Sequence, residues 1–144
     1  MKLEGIFELW SKDSVINRER IDDEALAIGK LHSKYHEIYT NERLMLRKYE
    51  QDLKVLKLEK YEFYTQGPTK ETVERGWKLP ASGKIYKPDA MMYVDADTDV
   101  VQLTLKIGLQ HEKISLLESI IKTLMNRGFH LKTAVDFIRF QSGG

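Results

Sequence analysis

The stretch that decides the fold is VVQLTLKIGLQHEKISLLESIIKTL, residues 100–124. Apolar side chains recur in it at alternating steps of three and four residues, which places them along one seam of a coiled-coil helix. Seven of the eight seam positions are apolar, so the pattern predicts a long helix from about residue 97 to about residue 127 that packs along its full length. The seam positions are Val100, Leu103, Ile107, Gln110, Ile114, Leu117, Ile121 and Leu124.

A second long helix is predicted upstream, from Asp22 or Asp23 to Tyr64, because this segment has no proline and only one glycine. The sequence TQGP, residues 65–68, ends it, since glycine accepts the conformation that closes a helix and proline cannot continue one. A short amphipathic helix is predicted before it, over residues 2–11. The seam of the second long helix has the same spacing and consists of Leu46, Tyr49, Leu53, Leu56, Lys60 and Phe63.

The remaining segments are a connector and the C-terminus. All three prolines of the chain fall within residues 65–97, which we interpret as an extended or hairpin-like connector. Gly128 is expected to end the helix that follows, leaving a short final helix over residues 131–140. That helix is apolar on most of its circumference, which predicts burial under the long helices or against another subunit. The residues that we assign to oligomerisation are Leu131, Val135, Phe137, Ile138 and Phe140.

The predicted fold class is therefore mainly all-α, with two long coiled-coil-like helices, short terminal helices and the connector. The apolar stripes of the long helices exceed what a chain of 144 residues covers easily, so we infer self-association. The alternative is an intramolecular antiparallel pair whose ends are covered by the short helices. We expect a single domain, in which residues 1–64 hold the N-terminal and first long helix, 65–97 the connector, and 98–144 the second long helix and the oligomerisation helix.

Composition and motifs argue against catalysis, cofactors and membranes. The chain has no cysteine, which excludes disulfides and thiolate sites, and no apolar run long enough to span a bilayer, so we expect a cytoplasmic protein. Asp95, Asp97 and Asp99 resemble part of a calcium loop but lack its glycine and glutamate, and we interpret them as a helix N-terminus. His32 and His36 have zinc-pair spacing without an evident third ligand. We therefore expect no metal, no cofactor and no enzymatic activity.

Positive charge is concentrated in the middle of the chain. Residues 31–87 carry twelve basic and eight acidic side chains, a net charge of +4, whereas the whole chain has +1. Basic side chains on one helix face can neutralise successive phosphates, and tyrosine rings can stack on unpaired bases. Further lysines and arginines, with Trp77 and Tyr86 between them, extend the charge into the connector. The alternative is a solvated face balanced by glutamates. The predicted DNA-binding residues are Arg43, Arg47, Lys54, Lys57, Lys60, Tyr61 and Tyr64.

Four short sequences carry a resemblance to a known family. They are MKLE at residues 1–4, LEKYEFY at 58–64, VDADT at 94–98, and the tail from RGF at 127–129 through AVD at 134–136. With these motifs the chain resembles, over nearly its whole length, the UvsY-like recombination mediators of T-even-like bacteriophages. The tail, in which Arg-Gly-Phe precedes an apolar helix, is the most specific of the four.

The resemblance implies a ring-like homo-oligomer, a hexamer or heptamer, that works in the host bacterial cytoplasm. Such mediators bind single-stranded DNA and load a RecA-like phage recombinase onto strands covered by the phage single-strand-binding protein, and they hydrolyse nothing themselves. In the family a pair of basic residues near the end of the long helix serves DNA binding. Lys60 occupies one of these positions and Leu58 the other, so we expect the adjacent Lys57 to act with Lys60. The alternative function is a helical oligomeric scaffold that binds only proteins.

Overall fold

In a computed structural model of the protein the structure of residues 1–143 is described, and all the regular structure in that range is helical. The prediction of an all-α fold with two long helices is confirmed. The helices are α1 (Leu3–Asp13), α2 (Ile21–Gln66), α3 (Lys70–Glu74), α4 (Lys87–Ala96) and α5 (Thr98–Gln141).

Helix α2 begins and ends for local reasons that are visible in the sequence. Three acidic side chains occupy its first turn, where they favour the positive end of the helix dipole. At its C-terminus the Gly67 N–H donates to the Phe63 carbonyl oxygen over 2.9 Å. Gly67 has a φ of 95°, a left-handed conformation that residues other than glycine adopt only with strain. The predicted end of the helix at this glycine is confirmed.

The connector differs from the prediction, because residues 65–97 contain two short helices and no strand or hairpin. Thr69 and Thr72 form a reciprocal capping box that starts α3. Pro88 lies in the first turn of α4, where its missing N–H costs no hydrogen bond. We interpreted the prolines as residues that prevent helix formation. Pro68 instead lies two residues before the start of α3, and Pro88 lies in the first turn of α4.

The C-terminal segment also differs, because α5 continues through Gly128 as one helix of 44 residues. A glycine inside a helix costs about 1 kcal/mol relative to alanine, which is too little to break a helix that packs well on both sides of it. Arg127 and Leu131 flank Gly128 and are both buried. The separate final helix that we expected is therefore the last part of α5.

The helices form two compact units. Unit 1 comprises residues 1–44 and 110–143, and unit 2 comprises residues 45–109. The buried core of unit 1 joins α1, α2 and α5, and it is made of Ile6, Tyr35, Leu117, Ile120 and Leu124. The buried core of unit 2 joins the end of α2 to α4 and the start of α5, and it is made of Phe63, Tyr64, Val94 and Val100.

Two polar side chains of α5 are buried in unit 1 and hold its helices together. Gln110, the polar position of the predicted seam, donates to the backbone oxygen of Glu42 over 2.7 Å and to its carboxylate over 2.6 Å. Arg127 donates to the carbonyl oxygens of Asp13 and Ser14 at the C-terminus of α1, over 3.1 and 3.4 Å. The arginine of the RGF motif therefore caps α1.

Candidate nucleic-acid interface

Lys60 lies inside unit 2, although it is also a predicted DNA-binding residue. Its side chain is only 4% exposed. Its ammonium nitrogen Nζ lies 2.8 Å from Asp99 Oδ2 and 3.2 Å from Asp97 Oδ2. The same nitrogen lies 3.7 Å from the centre of the Trp77 ring, within the range of a cation–π interaction. The charge of Lys60 is therefore compensated within unit 2.

Asp97 connects this lysine to the junction between α4 and α5. Its Oδ1 accepts the backbone N–H groups of Asp99 and Val100, over 2.9 and 3.4 Å, which caps α5 as the sequence predicted. Its Oδ2 accepts the Tyr64 hydroxyl over 2.7 Å. Burial alone would raise the pKa of Asp97, but the hydrogen bonds from Tyr64 and Lys60 outweigh burial and hold that pKa below its usual value. Burial and the bond to Asp97 raise the pKa of Tyr64.

Trp77 closes this cluster from the segment after α3. Its ring meets the Phe63 ring edge-on, with the ring centres 5.6 Å apart. The Arg75 guanidinium lies 5.0 Å from the Trp77 ring centre and pairs with Glu59 of α2. Because its contacts run to the end of α2, Trp77 fixes the segment after α3 to the core of unit 2.

The cations on the outside of α2 differ from Lys60. Arg47, Lys54 and Lys57 follow one another at steps of seven and three residues, so they lie on one side of the helix. Arg47 and Lys54 are exposed. Lys57 has a side-chain exposure of 38%, and its Nζ lies 3.4 Å from Asp95 Oδ1, whose side chain is 60% exposed. An exposed pair of this kind contributes at most about 1 kcal/mol, so another anion can replace the aspartate.

Comparison with known proteins identifies the family. The model of the family described as "Recombination, repair and ssDNA binding protein UvsY" matches residues 9–144, most of the chain. The chain belongs to the UvsY family. Comparison with curated protein sequences gives no significant match.

Solved structures agree with this assignment at the level of the fold. Two crystal structures of the recombination mediator protein UvsY of bacteriophage T4 superimpose with TM-scores of 0.78 and 0.80. The first shares 20% identity and covers 98% of this chain and 99% of the T4 chain. The second shares 18% identity and covers 95% and 98%. The T4 protein and this chain therefore share one fold over almost their entire lengths.

Within this UvsY-family chain the predicted DNA-binding residues fall into separate groups. Arg47, Lys54 and Lys57 lie together on the outside of unit 2, whereas Arg43 belongs to unit 1, where its guanidinium lies 5.4 Å from the Tyr39 ring centre. Lys60, Tyr61 and Tyr64 pack in the interior of unit 2: Lys60 and Tyr64 are buried and Tyr61 is partly buried against the core. The structure thus does not bring Lys57 and Lys60 onto one surface as a pair of free ammonium groups.

Three aspartates are the residues whose role in this site we did not foresee. Asp95 pairs with Lys57, while Asp97 and Asp99 pair with Lys60. Their signal in the sequence was an aspartate at every second position around the start of α5, which we interpreted only as helix capping. The ion pairs join residues that are 37 to 39 positions apart in the sequence, so local patterns do not reveal them.

The predicted oligomerisation residues lie in the last turns of α5. Leu131 is buried within unit 1, and Val135 is partly exposed. Phe137, Ile138 and Phe140 are exposed by 60, 41 and 82%. We expected this segment to be buried either under the long helices or against another subunit. These three side chains are not buried under the long helices.

Residues 1–143 contain neither a cluster of metal-ligating side chains nor a helix that could span a membrane. In that range no group of three or more histidine, cysteine, aspartate or glutamate side chains is arranged to hold a metal ion. The rings of His32 and His36 stack with their centres 5.9 Å apart. Within the same residues, no helix combines the length and the apolar character needed to cross a membrane.

Proposed function

We propose that this chain is a single-stranded-DNA-binding recombination mediator of a bacteriophage, acting in the host bacterial cytoplasm. Its role would be to load a RecA-like recombinase onto strands covered by the phage single-strand-binding protein. The observation that carries the proposal is the match to the UvsY family over residues 9–144. The cations on the outside of α2 support it, because they can contact the phosphates of a strand.

The mechanism is one of binding without catalysis. Each chain offers a few exposed cations, Arg47, Lys54 and Lys57, and each contact with a phosphate is weak by itself. Several chains in a ring, a hexamer or a heptamer, would bind one strand at many points, and linked contacts add to a high apparent affinity. A strand held in this way would be bent or extended, which weakens the grip of the covering protein and exposes the backbone to the recombinase. ATP hydrolysis would belong to the recombinase.

The exposed apolar residues at the end of α5 support the self-association. Phe137, Ile138 and Phe140 lie within four residues of one another and are open to solvent in the single chain. A cluster of large apolar side chains is a common feature of protein contact surfaces. In the proposed ring these residues would be covered by a neighbouring copy.

A test of DNA binding uses fluorescence anisotropy with a labelled single strand and the matching duplex at several salt concentrations. We expect the single strand to bind more tightly, with an affinity that falls steeply as salt rises. Lys54→Ala/Lys57→Ala should weaken binding and lower the salt slope by roughly 0.7 for each lost phosphate contact. The matched control, Lys12→Ala/Lys30→Ala, removes the same charge from exposed positions of unit 1.

A test of loading measures recombinase filament formation on strands that are already covered by single-strand-binding protein. We expect the wild type to shorten the delay before filaments form and Lys54→Ala/Lys57→Ala to restore it. The second candidate function, a scaffold that binds only proteins, is favoured by the aspartates that compensate Lys57 and Lys60. A properly assembled sample that binds no single strand even at low salt would support the scaffold and contradict our proposal.

A further inference from the structure

Of the two stacking residues that the sequence predicted, Tyr64 is buried and Tyr61 is partly buried. Tyr64 is 9% exposed and its hydroxyl is bound to Asp97, while Tyr61 packs against the same core. A base stacks only on an aromatic ring whose face is open to solvent. Unit 2, residues 45–109, has seven aromatic side chains, all of them described, and Tyr86 alone is exposed, by 83%.

The backbone that carries Tyr86 is held on both sides. The preceding N–H, that of Ile85, donates to the Tyr64 carbonyl oxygen over 2.9 Å, and the Ile85 side chain packs on the core of unit 2. The Tyr86 carbonyl oxygen accepts the Asp89 N–H over 2.9 Å at the start of α4. A ring on a fixed backbone loses little freedom when it binds, because only its side-chain rotations remain to be restricted.

Two lysines flank the ring and carry the charge that a strand requires. Lys84 and Lys87 are both exposed and stand two residues before and one residue after Tyr86. The stem of Lys84 lies against Gly67, where a β-carbon would come within 2.9 Å of Lys84 Cε. The aspartates of residues 95–99 pair with Lys57 and Lys60. The segment around Tyr86 therefore combines an open aromatic face with cations on either side of it.

We propose that Tyr86 stacks on one unpaired base of a single strand, and that Lys84 and Lys87 contact the phosphates beside that base. This inference rests on the proposed DNA-binding function and names a site for it outside α2. The site would also explain a preference for single-stranded over duplex DNA, because a base that is paired and stacked within a duplex has no free face for the ring. Stacking on an aromatic ring accepts any base, so the site would have no strong sequence preference.

The test compares two labelled probes of equal length and equal charge, an oligothymidylate and a strand of abasic sites. Tyr86→Ala should weaken binding of the oligothymidylate by roughly five- to a hundred-fold, the range reported for loss of one stacked base. Binding of the abasic strand should not change, since it offers no base. Tyr86→Phe should restore the affinity for oligothymidylate. Phe7→Ala removes an exposed aromatic ring from unit 1 and is the matched control.

The lysines should behave differently from the tyrosine. Lys84→Ala/Lys87→Ala should weaken the binding of both probes to the same extent and reduce the dependence on salt. In Tyr86→Trp, we expect the added indole emission to be quenched by oligothymidylate and not by the abasic strand.

The outcomes separate this inference from the function on which it rests. If the wild type binds oligothymidylate and Tyr86→Ala binds it equally tightly, the stacking site is wrong and the DNA-binding proposal stands. If Tyr86→Ala loses both probes equally, the ring has a structural role and the stacking site is again wrong. If the wild type binds neither probe, both proposals are wrong.

Discussion

Replacement of Lys60 tests whether its ammonium holds unit 2 together or contacts DNA. The structure assigns it the first role, since Nζ lies within 3.2 Å of two carboxylates and over the ring of Trp77. Two variants separate the charge from the stem of the side chain. Lys60→Met keeps most of the buried methylene chain and removes the charge, whereas Lys60→Ala removes both.

The magnitude follows from what each variant leaves behind. Removing one partner of a buried ion pair costs about 3–5 kcal/mol, because the other charge stays buried without compensation. Here Asp99 is half exposed and returns to water, and Asp97 keeps the bond from Tyr64 and its two backbone bonds. We therefore expect Lys60→Ala to cost about 3 kcal/mol, the lower end of that range, and Lys60→Met, which keeps the methylene stem, to cost about 2 kcal/mol, just below it.

The assay is urea unfolding at one fixed protein concentration, followed by far-ultraviolet circular dichroism and tryptophan fluorescence. The concentration is fixed because the proposed self-association would add to the apparent stability. With a urea dependence of about 1–3 kcal/mol per molar, a loss of 3 kcal/mol lowers the midpoint by roughly 1–3 M. Adding Asp97→Asn to Lys60→Met should cost less than the sum of the two single changes, since both charges of the pair are then removed.

One result would refute this reasoning. If Lys60→Ala unfolds at the same urea concentration as the wild type and yet loses affinity for a single strand, the ammonium contacts a phosphate. The strand-binding state would then have Lys60 outside the cluster described here. If stability and strand binding fall together, and Lys60→Met shows a smaller loss of both, the structural role is supported.

Three further predictions concern acidic and apolar side chains. Asp95→Asn frees Lys57 and should strengthen single-strand binding a few-fold in the anisotropy assay; an unchanged affinity would mean that Asp95 does not compete with phosphate. Asp97 has a folded-state pKa below its unfolded value, so the stability that it contributes is present above pH 3.9 or so and is lost as pH falls through the folded value. As the pH is lowered from 7 to 3, the urea midpoint of unfolding should therefore decline less for Asp97→Asn than for the wild type. Phe137→Asp/Phe140→Asp should reduce the mass of the proposed assembly in light scattering without loss of helix, and an unchanged mass would contradict the proposed contact.

The role of Lys60 could not be predicted from the sequence alone. Its position completed the three- and four-residue spacing of the α2 seam, and it also matched one of the basic positions of the family. Local spacing could not choose between these two roles, because the choice depends on Asp97 and Asp99, which lie nearly forty residues further along the chain. The seam position decided the outcome, since the fold places the carboxylates of Asp97 and Asp99 where the ammonium of Lys60 enters the core.

The long helices could be predicted from the sequence, but the effect of single glycine and proline residues on the helices could not. Seams that continue over several turns are strong signals, and α2 was predicted to within about two residues at each end. Gly128 and Pro88 were interpreted from their intrinsic preferences alone. The cost of a helical glycine is small compared with the packing of Arg127 and Leu131 beside it, and a proline in a first turn is favourable. Tertiary packing therefore decided the outcome at Gly128, and the position in the first turn of a helix decided it at Pro88.

The division into two units has a consequence for how the chain is made. Unit 2 is one uninterrupted segment, residues 45–109, whereas unit 1 joins residues 1–44 to residues 110–143. Contacts between segments that are distant in sequence form more slowly than local ones, because a long loop must close first. During synthesis on the ribosome, residues 45–109 leave the exit tunnel before the second half of unit 1 does. The exposed phenylalanines at the end of α5 leave the tunnel after unit 2, so the cations of unit 2 can reach their folded positions before the proposed contact surface for other copies is presented.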